Sequence, residues 1–486
     1  MFPLLKGRFR RHPQGSRAKV VISLNKAKPI ARVDERYLSF SIDISVLAGG
    51  QWWDGSAGSK KGLGTEKTTP LSLKKGKLDK FTRALAPAYL RVGGSEADNI
   101  HYFTAPQGES GALVLTQGMW DDLHRFCARN DLALAFTFKY GLFKRRLHGR
   151  WQADEVSKLL AYSSERGQPI AVCELGNELN AYWAFYGLGS QPMASKLAAD
   201  YDTFIRTVRH LSPHSKVAGP GSAFWPRIGE AIKPITNITP TFLSVLKEPL
   251  DIVDWHYYPF QSRRSPVRTR SATLSNVMSP QALKDFDKYL GQLKGWRNLH
   301  QPNAVLWTGE TGSAQCGGEA RLSDRFASSF WWADQLGRGA RAGQAVMVRQ
   351  SLVGGDYGLI NRQTLKANPD FWVSWLWQKL MGREVFEVQS SDESVLAYCH
   401  SARKGGKCTL LLINMAATAK AVECRGFGMQ KKRFELTADK LTDAKVRING
   451  VKPKFQGGKV KLKDFPSLAR QEQLKPYSIN FWCFLL

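Results

Sequence analysis

The sequence predicts a (β/α)8 barrel joined to a β-sandwich, with the sandwich formed by the C-terminal region plus one N-terminal strand. Between about residues 37 and 380, short apolar stretches alternate with longer amphipathic ones, which is typical of βα units around a parallel sheet. After this region, alternating apolar and polar residues joined by turn residues continue to the C-terminus. The strand-like stretch "AKVVISLNK" at residues 18–26 precedes the barrel pattern, so we expect it to join the sandwich.

The barrel prediction depends on eight candidate strands. In chain order they are residues 38–46, 88–93, 133–139, 170–176, 215–219, 251–257, 304–309 and 344–350. Helical periodicity is predicted between them over 120–130, 154–166, 194–211, 281–297 and 323–341. Eight strands alternating with helices is the number that closes a (β/α)8 barrel.

The length of 486 residues allows one large barrel with an appended domain, or three small domains. We divide the chain into a basic flexible tail (1–17), an N-terminal strand region that contributes to the sandwich (18–36), the barrel (37–382) and the sandwich domain (383–486). The hydrophobic content of 43% excludes a disordered chain.

The chain is strongly basic, with 70 Lys and Arg against 41 Asp and Glu and a formal net charge of +29. Such a charge indicates a polyanionic partner: nucleic acid, an anionic membrane surface or an acidic polysaccharide. No stretch reaches the roughly 18 apolar residues that span a bilayer. The basic N-terminus has no apolar segment of signal-peptide length, so either the protein is not exported by that route or the sequence begins after a removed signal.

The seven cysteines show no C-x-x-C motif and no Cys/His spacing of a zinc site. Their odd number excludes complete pairing within the chain. A bridge among Cys399, Cys408 and Cys483 in the C-terminal region is left open by the sequence.

Two glutamates stand where predicted core strands end. "AVCELGNELNAYW" (171–183) places Glu178 after the fourth strand, and "AVLWTGETGSAQCGG" (304–318) places Glu310 at the end of the seventh. In a barrel the carboxyl ends of the strands form the active-site face, so the two carboxylates are expected to converge there. Asn177 and Thr311 flank them and could hydrogen-bond to them. Two such carboxylates suit glycosidic bond hydrolysis, which needs one acid and one nucleophile or base.

Several long motifs resemble one enzyme family. "PAYLRVGGSEAD", "CELGNELN", "DWHYYPF", "VLWTGETGSAQCGGEARLSDRFASSFWWADQLG" and "AVMVRQSLVGGDYGL" together look like heparanase and the related β-glucuronidases of glycoside hydrolase family 79. The resemblance runs in order from about residue 37 to the C-terminus. It implies a (β/α)8 barrel with a sandwich built from both chain ends, in agreement with the periodicity.

The resemblance also implies roles for individual residues. Glu178 matches the family's acid/base and Glu310 its nucleophile. Asn177 is expected to bond the sugar 2-hydroxyl, and His256 and Tyr258 match a His-x-Tyr after the sixth strand whose tyrosine orients the nucleophile.

Recognition of the sugar is implied at further positions. Backbone amides of the Gly-Gly segment after the nucleophile and a tyrosine after the eighth strand bind glucuronate in the family, and they match Gly317, Gly318 and Tyr357. Asp43 and Ser95 match a family Asp and a Thr or Ser that bond the sugar hydroxyls, and Gln350 is a further expected substrate-binding residue. The "GGDYGL" loop is shorter than in heparanase, and Gln315 and Cys316 replace a different pair. Trp52, Trp53, Trp225 and Trp307 could stack on sugar rings, but the sequence does not select among the 15 tryptophans.

The family's retaining reaction implies carboxyl groups about 5 Å apart and a covalent glycosyl-enzyme intermediate on Glu310. Glu178 then has to be protonated in the resting enzyme, which a pKa raised by apolar surroundings and by Glu310 would achieve. The resemblance implies no metal or organic cofactor.

Two basic loops are expected on the same face. Lys144, Arg145, Arg146 and Arg150 follow the third strand, and a second group after the sixth strand comprises Arg263, Arg264, Arg268 and Arg270. Arginine engages sulfate or carboxylate oxygens in a bidentate manner. We therefore expect the loops, in particular Lys144, Arg145, Arg146, Arg263 and Arg264, to contact heparan sulfate, heparin or a related acidic polysaccharide.

The resulting hypothesis is an endo-β-glucuronidase that acts on heparan sulfate as a single unprocessed chain, expected to be a monomer that is secreted, periplasmic or at the cell surface. Its first rival is an exo-β-glucuronidase with the same catalytic residues. A heparin-binding protein that has lost catalysis is the second. A nucleic-acid-binding protein is the third, and it would leave the carboxylate pair unexplained because carboxylates repel phosphate.

Overall fold

The computed structural model describes residues 19–25, 28–53, 65–109, 111–141, 149–226, 228–230, 236–265, 268–468 and 472–485. The expected tail at residues 1–17 and the loop residues Lys144, Arg145 and Arg146 therefore lie outside the described residues. Among the residues that are described, no helix is long and apolar enough to cross a membrane.

Eight parallel strands close into a barrel, which confirms the predicted fold class. In chain order the barrel strands are Leu38–Asp43, Ala88–Gly93, Leu132–Phe138, Val172–Leu175, Lys216–Trp225, Ile252–Tyr257, Val305–Thr311 and Gln344–Arg349. Each strand pairs in parallel with the next, and the eighth returns to the first through Met347 beside Leu38. Strand residues are buried on both faces because helices cover the outside and side chains fill the inside.

Helices follow the strands around the barrel. The helices of eight residues or more are Lys77–Leu85, Gln117–Arg129, Asp154–Glu165, Ala194–Leu211, Asp285–His300, Phe326–Arg341 and Pro369–Leu380. Shorter α-helices are Ile44–Ala48, Tyr182–Tyr186, Thr239–Val245, Leu274–Val277 and Pro280–Leu283, and 3-10 turns occupy Ser95–Asp98, Leu179–Ala181, Leu188–Ser190 and Leu462–Asp464. The last two long helices bury Trp331, Trp332, Trp372, Trp375 and Trp377 against the barrel.

Three boundaries differ from the prediction for local reasons. The first strand ends at Asp43 instead of residue 46, because the Asp43 side chain accepts a hydrogen bond from Ser45 N at 2.9 Å and caps a short helix. The fifth strand continues to Trp225 because its end pairs with the short strand Ile228–Gly229. The predicted helix 281–297 is divided into Pro280–Leu283 and Asp285–His300.

The C-terminal region forms two sheets. The larger contains Ala31–Arg32, Met381–Phe386, Val395–Ala402, Cys408–Asn414, Ser478–Phe484, Gln430–Thr437 and Arg447–Ile448, in that spatial order. The smaller contains Val388–Ser390, Val20–Leu24, Lys420–Arg425 and Gln473–Leu474. The N-terminal strand thus lies inside this second sheet, parallel to Lys420–Arg425.

The larger sheet packs on both faces, as its alternating side chains require. Leu410 and Leu412 face the smaller sheet, where they join a core with Ile22. Leu411 and Ile413 belong to the main core with the barrel. In this structure all seven cysteines are free thiols, Cys399, Cys408 and Cys483 among them.

Four short strands complete the described secondary structure. Gln51–Trp52 pairs with Glu66–Lys67, and His101–Tyr102 pairs with Val114–Leu115, in the loops after the first and second barrel strands. Beneath the carboxyl ends of the strands, a separate apolar cluster from seven of the barrel strands includes Tyr89 and Trp307, whose ring centroids are 4.6 Å apart. This packing fills the barrel, so ligands can enter only at its ends.

Candidate active site

The two glutamates singled out by the sequence meet at the carboxyl ends of the barrel strands. Glu178 lies just beyond the fourth strand in a left-handed conformation (φ 50°, ψ 48°), and Glu310 is the next-to-last residue of the seventh. Non-glycine residues in this backbone region are strained, and such strain concentrates at functional positions. One oxygen of Glu178, one of Glu310 and a ring nitrogen of His256 all lie within 4.8 Å of one another.

Arg91, in the second barrel strand, connects the acidic groups of the site. Its Nη1 donates to Glu310 Oε2 at 2.7 Å and its Nη2 to Asn177 Oδ1 at 3.0 Å. Its Nε donates to Glu174 Oε2 at 3.0 Å. The planar fork therefore fixes three side chains, two from the fourth strand and the loop after it and one from the seventh strand. Burial opposes its charge, but the Glu174 and Glu310 carboxylates hold the pKa of Arg91 above its ordinary value.

Tyr258 fixes the other oxygen of Glu310. Its hydroxyl donates to Glu310 Oε1 at 2.5 Å, so the carboxylate is held at both oxygens. Burial and the Glu310 charge raise the pKa of Tyr258 well above its ordinary value, so it stays a hydrogen-bond donor.

The environment of Glu178 differs from that of Glu310. Burial raises the pKa of Glu178 above its ordinary value, and the charge of Glu310 adds to this, although the nearby His256 opposes it. His256 Nδ1 lies 3.2 Å from Glu178 Oε1. Burial alone would lower the pKa of His256, but the surrounding carboxylates outweigh it and raise the value to about 10. A charged His256 ring would donate to Oε1, and the raised pKa of Glu178 favours its protonated form.

A second layer of buried acids supports this arrangement. His256 Nε2 lies 3.7 Å from Glu174 Oε1, and Thr137 donates to Glu174 Oε2 at 2.6 Å. Burial works against it, but Arg91 and His256 hold the pKa of Glu174 below its ordinary value. Burial and the Glu174 charge raise the pKa of Asp254 well above its ordinary value, so Asp254 is the member of this pair that holds a proton more readily.

A cavity opens directly above the carboxylates. Of the sequence-predicted residues, those lining it are Asp43, Ser95, Asn177, Glu178, Tyr258, Glu310, Gln350 and Tyr357. Trp52, Trp53 and Trp225 also line it, whereas Trp307 lies in the apolar cluster beneath. Polar groups surrounded by aromatic side chains are typical of sugar-binding clefts.

Asp43 and Gly94 are in close contact at the mouth of the first two strands. A Cβ atom at Gly94, which has φ 103°, would lie 1.9 Å from Asp43 Oδ2, so only glycine fits there. Burial raises the pKa of Asp43 to about 8, and hydrogen bonds from Ser45 only partly offset it. Asp43 can therefore act as a hydrogen-bond donor or acceptor to a sugar hydroxyl near neutral pH.

Gly317 and Gly318 are not among the side chains that line the cavity, but they directly follow its lining residues Gln315 and Cys316. A Cβ at Gly317 would be 2.5 Å from the Cβ of Trp53, and one at Gly318 would be 2.8 Å from Tyr357 N. The cavity wall nearby is formed by Gln315 and Cys316, the pair that departs from heparanase. Burial raises the pKa of the Cys316 thiol to about 12, so it stays protonated.

The basic loop after the sixth strand differs from the expectation. Arg264 is mostly covered, with Nη2 at 2.7 Å from Asp356 Oδ2 and Nη1 donating to Gly318 O at 2.8 Å. Arg263 is paired with Glu319 but remains half exposed. The charges of these two arginines are already compensated by nearby acids. The arginines therefore stabilise the loops that form the cavity wall. Arg150 and Arg268 are exposed, and Arg270 pairs with Asp285 at 2.6 Å.

Two groups of side chains have the residue types of a metal site: Glu174, Asp254 and His256, and Glu178, His256 and Glu310. Both include an acid whose charge Arg91 already compensates. A cation placed there would also face the charged His256 ring. The donor set therefore suits proton transfer better than metal binding.

Sequence reasoning missed Arg91, Glu174 and Asp254, and it assigned the bonds of the glutamates to Asn177 and Thr311. Thr311 instead donates to Tyr257 O at 2.6 Å. A signal was present, because all three missed residues are charged positions inside otherwise apolar barrel strands.

Comparison with known proteins is consistent with this geometry. A sequence model of glycosyl hydrolase family 79, N-terminal domain, matches residues 19–337. Heparanase of Bos taurus is 27% identical over 487 residues, covering 87% of this chain and 83% of that protein. Baicalin-beta-D-glucuronidase of Scutellaria baicalensis is 23% identical over 460 residues, covering 87% and 83%. A 4-O-alpha-L-rhamnosyl-beta-D-glucuronidase from Fusarium oxysporum shares the fold, with a TM-score of 0.67 at 14% identity over 95% of this chain and 100% of that one.

Proposed function

The chain belongs to glycosyl hydrolase family 79, as its motifs indicated, and we propose that this glycosidase is a retaining endo-β-glucuronidase. Its substrate in this proposal is heparan sulfate, heparin or a related acidic polysaccharide, cleaved at internal glucuronosyl linkages. The observation that carries the proposal is the pair Glu178 and Glu310, held close together, with Glu310 bonded to Arg91 and Tyr258 and the pKa of Glu178 raised by burial. Glu178 is placed to donate a proton, and Glu310 is placed to attack the sugar.

In the first step, a Glu310 oxygen attacks the anomeric carbon of the glucuronosyl unit. The bond from that carbon to the glycosidic oxygen breaks, and Glu178 transfers its proton to the departing oxygen. Arg91 and Tyr258 orient the Glu310 carboxylate for this attack through its two oxygens. The product of the step is a glycosyl ester on Glu310, an ionised Glu178 and a free hydroxyl on the leaving chain.

In the second step, water attacks the anomeric carbon and the ester bond breaks. Glu178 takes the proton from that water and returns to its protonated form, while Glu310 leaves as a carboxylate. The charged His256 stabilises the ionised Glu178 that exists between the two steps, because its Nδ1 lies 3.2 Å from Oε1. Two inversions at one carbon give net retention.

The separation of the carboxyl groups supports retention over inversion. Oxygens of Glu178 and Glu310 lie within 4.8 Å of each other. Retaining enzymes place their carboxyl groups about 5–5.5 Å apart, whereas inverting enzymes need about 6.5–9.5 Å to admit a water molecule.

The choice of glucuronate rests on relatives and on the polar cavity wall. Relatives along most of this chain are named heparanase and baicalin-beta-D-glucuronidase. We assign the sugar hydroxyls to Asn177, Asp43 and Ser95 and the carboxylate side to Tyr357, Gln350 and the amides of Gly317 and Gly318. The net charge of +29 favours a sulfated polymer over a small glucuronide whose aglycone is uncharged.

The decisive experiment incubates size-defined heparan sulfate with the wild type and with Glu310→Gln, and measures the product sizes. Mid-chain fragments that appear only with the wild type are expected. Glu165→Gln, an exposed glutamate at the end of a helix remote from the site, controls for the Glu-to-Gln change and should cleave normally.

The second candidate is an exo-β-glucuronidase, favoured by the relative baicalin-beta-D-glucuronidase of Scutellaria baicalensis. Release of free glucuronate without mid-chain fragments would establish it. Unchanged substrate that co-elutes with the protein would leave a binding protein instead. The purified chain is expected to be active without proteolytic processing and as a monomer. An acidic polysaccharide substrate fits a secreted, periplasmic or cell-surface location.

A further inference from the structure

We propose that a basic groove at the opposite end of the barrel from the carboxylates is a second binding site for an acidic polysaccharide chain. The groove has a volume of about 820 Å³ and lies where the barrel meets the C-terminal sheets. It is distinct from the cavity that contains Glu178 and Glu310.

The two ends of the barrel strands establish its position. Pro87 lines the groove and directly precedes the second barrel strand, whose six residues run to Gly93. Gly94, one residue beyond that strand, lines the catalytic cavity. A strand of this length spans about 20 Å. Glu35, which precedes the first strand, also lines the groove, and that strand ends at Asp43 in the cavity.

Seven cationic side chains line this groove against one carboxylate, that of the exposed Glu35. Lys379, Arg403 and Lys404 come from the end of the last long helix and from the loop after the strand Val395–Ala402. The other four are Lys431, Lys432, Lys461 and Lys463, from later in the C-terminal region. Within the residues the structure describes, none of the seven has an acidic partner within 4.0 Å, unlike Arg263 and Arg264 beside the catalytic cavity.

Two of these cations are partly buried without such compensation. Burial lowers the pKa of Lys379, and the charges of Arg403 and Lys404 lower it further. Burial likewise lowers the pKa of Arg403, with only the charge of Glu35 opposing it. Like charges held together in a concave, partly desolvated site are unfavourable without a counter-ion, so this arrangement favours an anionic ligand.

The chemistry of the groove favours a sulfated or carboxylated glycan over nucleic acid. Its aromatic residues, Trp375 and Phe434, are buried and offer no face on which a base could stack. Six of its seven cations are lysines and the seventh is Arg403, and ammonium groups act as point charges toward anions spread along a chain. The choice of a glycan rests on the proposed function, whereas the anion site rests on the groove alone.

The test compares two variants of equal charge. The groove variant replaces the exposed lysines with glutamine at Lys431, Lys432, Lys461 and Lys463. The control variant makes the same change at exposed lysines elsewhere, namely Lys158, Lys216, Lys247 and Lys452. Binding of long heparin chains is titrated at several salt concentrations in a Glu310→Gln background, so that the chains remain intact.

We expect the groove variant to bind long chains at least about 10-fold more weakly than the control, with a shallower dependence of log Kd on log salt, because fewer counter-ions are released. With Glu310 restored, turnover of a small aryl β-glucuronide should be the same in both variants. Equal binding by the two variants would overturn the proposal, because it would assign heparin affinity to bulk charge or to the catalytic face. Single-stranded DNA that competes as well as heparin would overturn the choice of a glycan.

A measurement on the wild type covers the case in which the groove variant fails to fold. Acetylation of individual lysines is followed by mass spectrometry with and without a heparin oligosaccharide. Protection of Lys431, Lys432, Lys461 and Lys463 but not of Lys158 supports the site, and uniform reactivity contradicts it. A wild type that cleaves no glucuronide would refute the proposed function without changing this result, since the readout is binding.

Discussion

Arg91 Nη1 lies 2.7 Å from Glu310 Oε2, although the two residues are 219 positions apart in the chain. The same guanidinium reaches Glu174 and Asn177, so one side chain of the second strand orients groups from the fourth and seventh strand ends. Because the proposed nucleophile is held by Arg91 on one oxygen and by Tyr258 on the other, its direction of attack is set before any substrate binds.

Replacing Arg91 with lysine should impair turnover more than substrate binding. Lysine keeps the charge but loses the planar fork, so Glu310 and Asn177 lose their fixed orientation, and kcat should fall by about 10²-fold or more with a smaller change in KM. Arg338→Lys is the control, because Arg338 is also buried and paired with Asp334, but on an outer helix. A loss of kcat equal in both variants would contradict a positioning role.

Removing the Tyr258 hydroxyl should slow the reaction without unfolding the protein. Tyr258→Phe deletes a hydrogen bond to a carboxylate, which contributes about 1.5–3 kcal/mol and so corresponds to a roughly 10- to 100-fold lower kcat. The neighbouring Tyr257 is an internal control, because in the described structure its buried hydroxyl has no hydrogen-bond partner. Tyr257→Phe should keep kcat within about two-fold, as replacing an unsatisfied polar group is nearly neutral.

Glu178→Gln should affect substrates according to their leaving groups. A poor leaving group needs the proton from Glu178, so its turnover should fall by about 10²- to 10⁴-fold. An activated aryl glucuronide should lose much less in the first step, and added azide should rescue the second step with formation of a β-glucuronosyl azide. An azide product of α configuration, or equal losses for both substrates, would contradict the acid/base assignment.

The pH dependence of kcat/KM should report the raised pKa of Glu178. The reaction needs its protonated form, so activity falls as pH rises through the Glu178 pKa, and this alkaline limb should lie above the ordinary glutamate value of about 4.3. The limb should be absent from Glu178→Gln when it is assayed with an activated substrate. Its persistence there would assign the limb to another group.

Gly94→Ala should weaken sugar binding because the added methyl group collides with Asp43 Oδ2. Gly108 offers a matched control, since it also has a positive φ, of 84°, but nothing lies within 4 Å of an added Cβ. Both variants should lose about 1–2 kcal/mol of unfolding free energy from backbone strain. Only Gly94→Ala should also raise KM, and an unchanged KM would show that Asp43 does not contact the substrate.

The strand and helix pattern was predictable because it depends on local periodicity. The eight barrel strands follow from short apolar runs that alternate with amphipathic segments, and the N-terminal strand of the sandwich is likewise a short strand-like stretch. Errors concentrate at strand ends that tertiary contacts determine. The strand ending at Trp225 illustrates this, since its last residues pair with the short strand Ile228–Gly229. Periodicity does not predict that contact. The cap at Asp43 is a local signal that apolar residues after it concealed.

The pairing of basic side chains with acids was not predictable from the sequence. Arg264 looked like a solvent-facing cation in a basic loop, yet its charge is compensated by Asp356, 92 positions away. Lys379 and Lys461 looked unremarkable in the sequence, yet they meet in one groove. Whether a charge is free or compensated depends on which distant residues the fold brings within a few ångströms, and sequence spacing carries no record of that distance.

The sequence by itself therefore determined the barrel, the sandwich joined by both chain ends, the family and the two glutamates at the strand ends. Only the tertiary structure decided which groups hold those glutamates, how Arg91, His256 and the Glu174–Asp254 pair divide the charge, and which basic residues are left without acids. The physical reason is that periodicity depends on residues that are close together in the sequence. The electrostatic environment of a side chain depends instead on its burial and on contacts between strands that are remote in the chain.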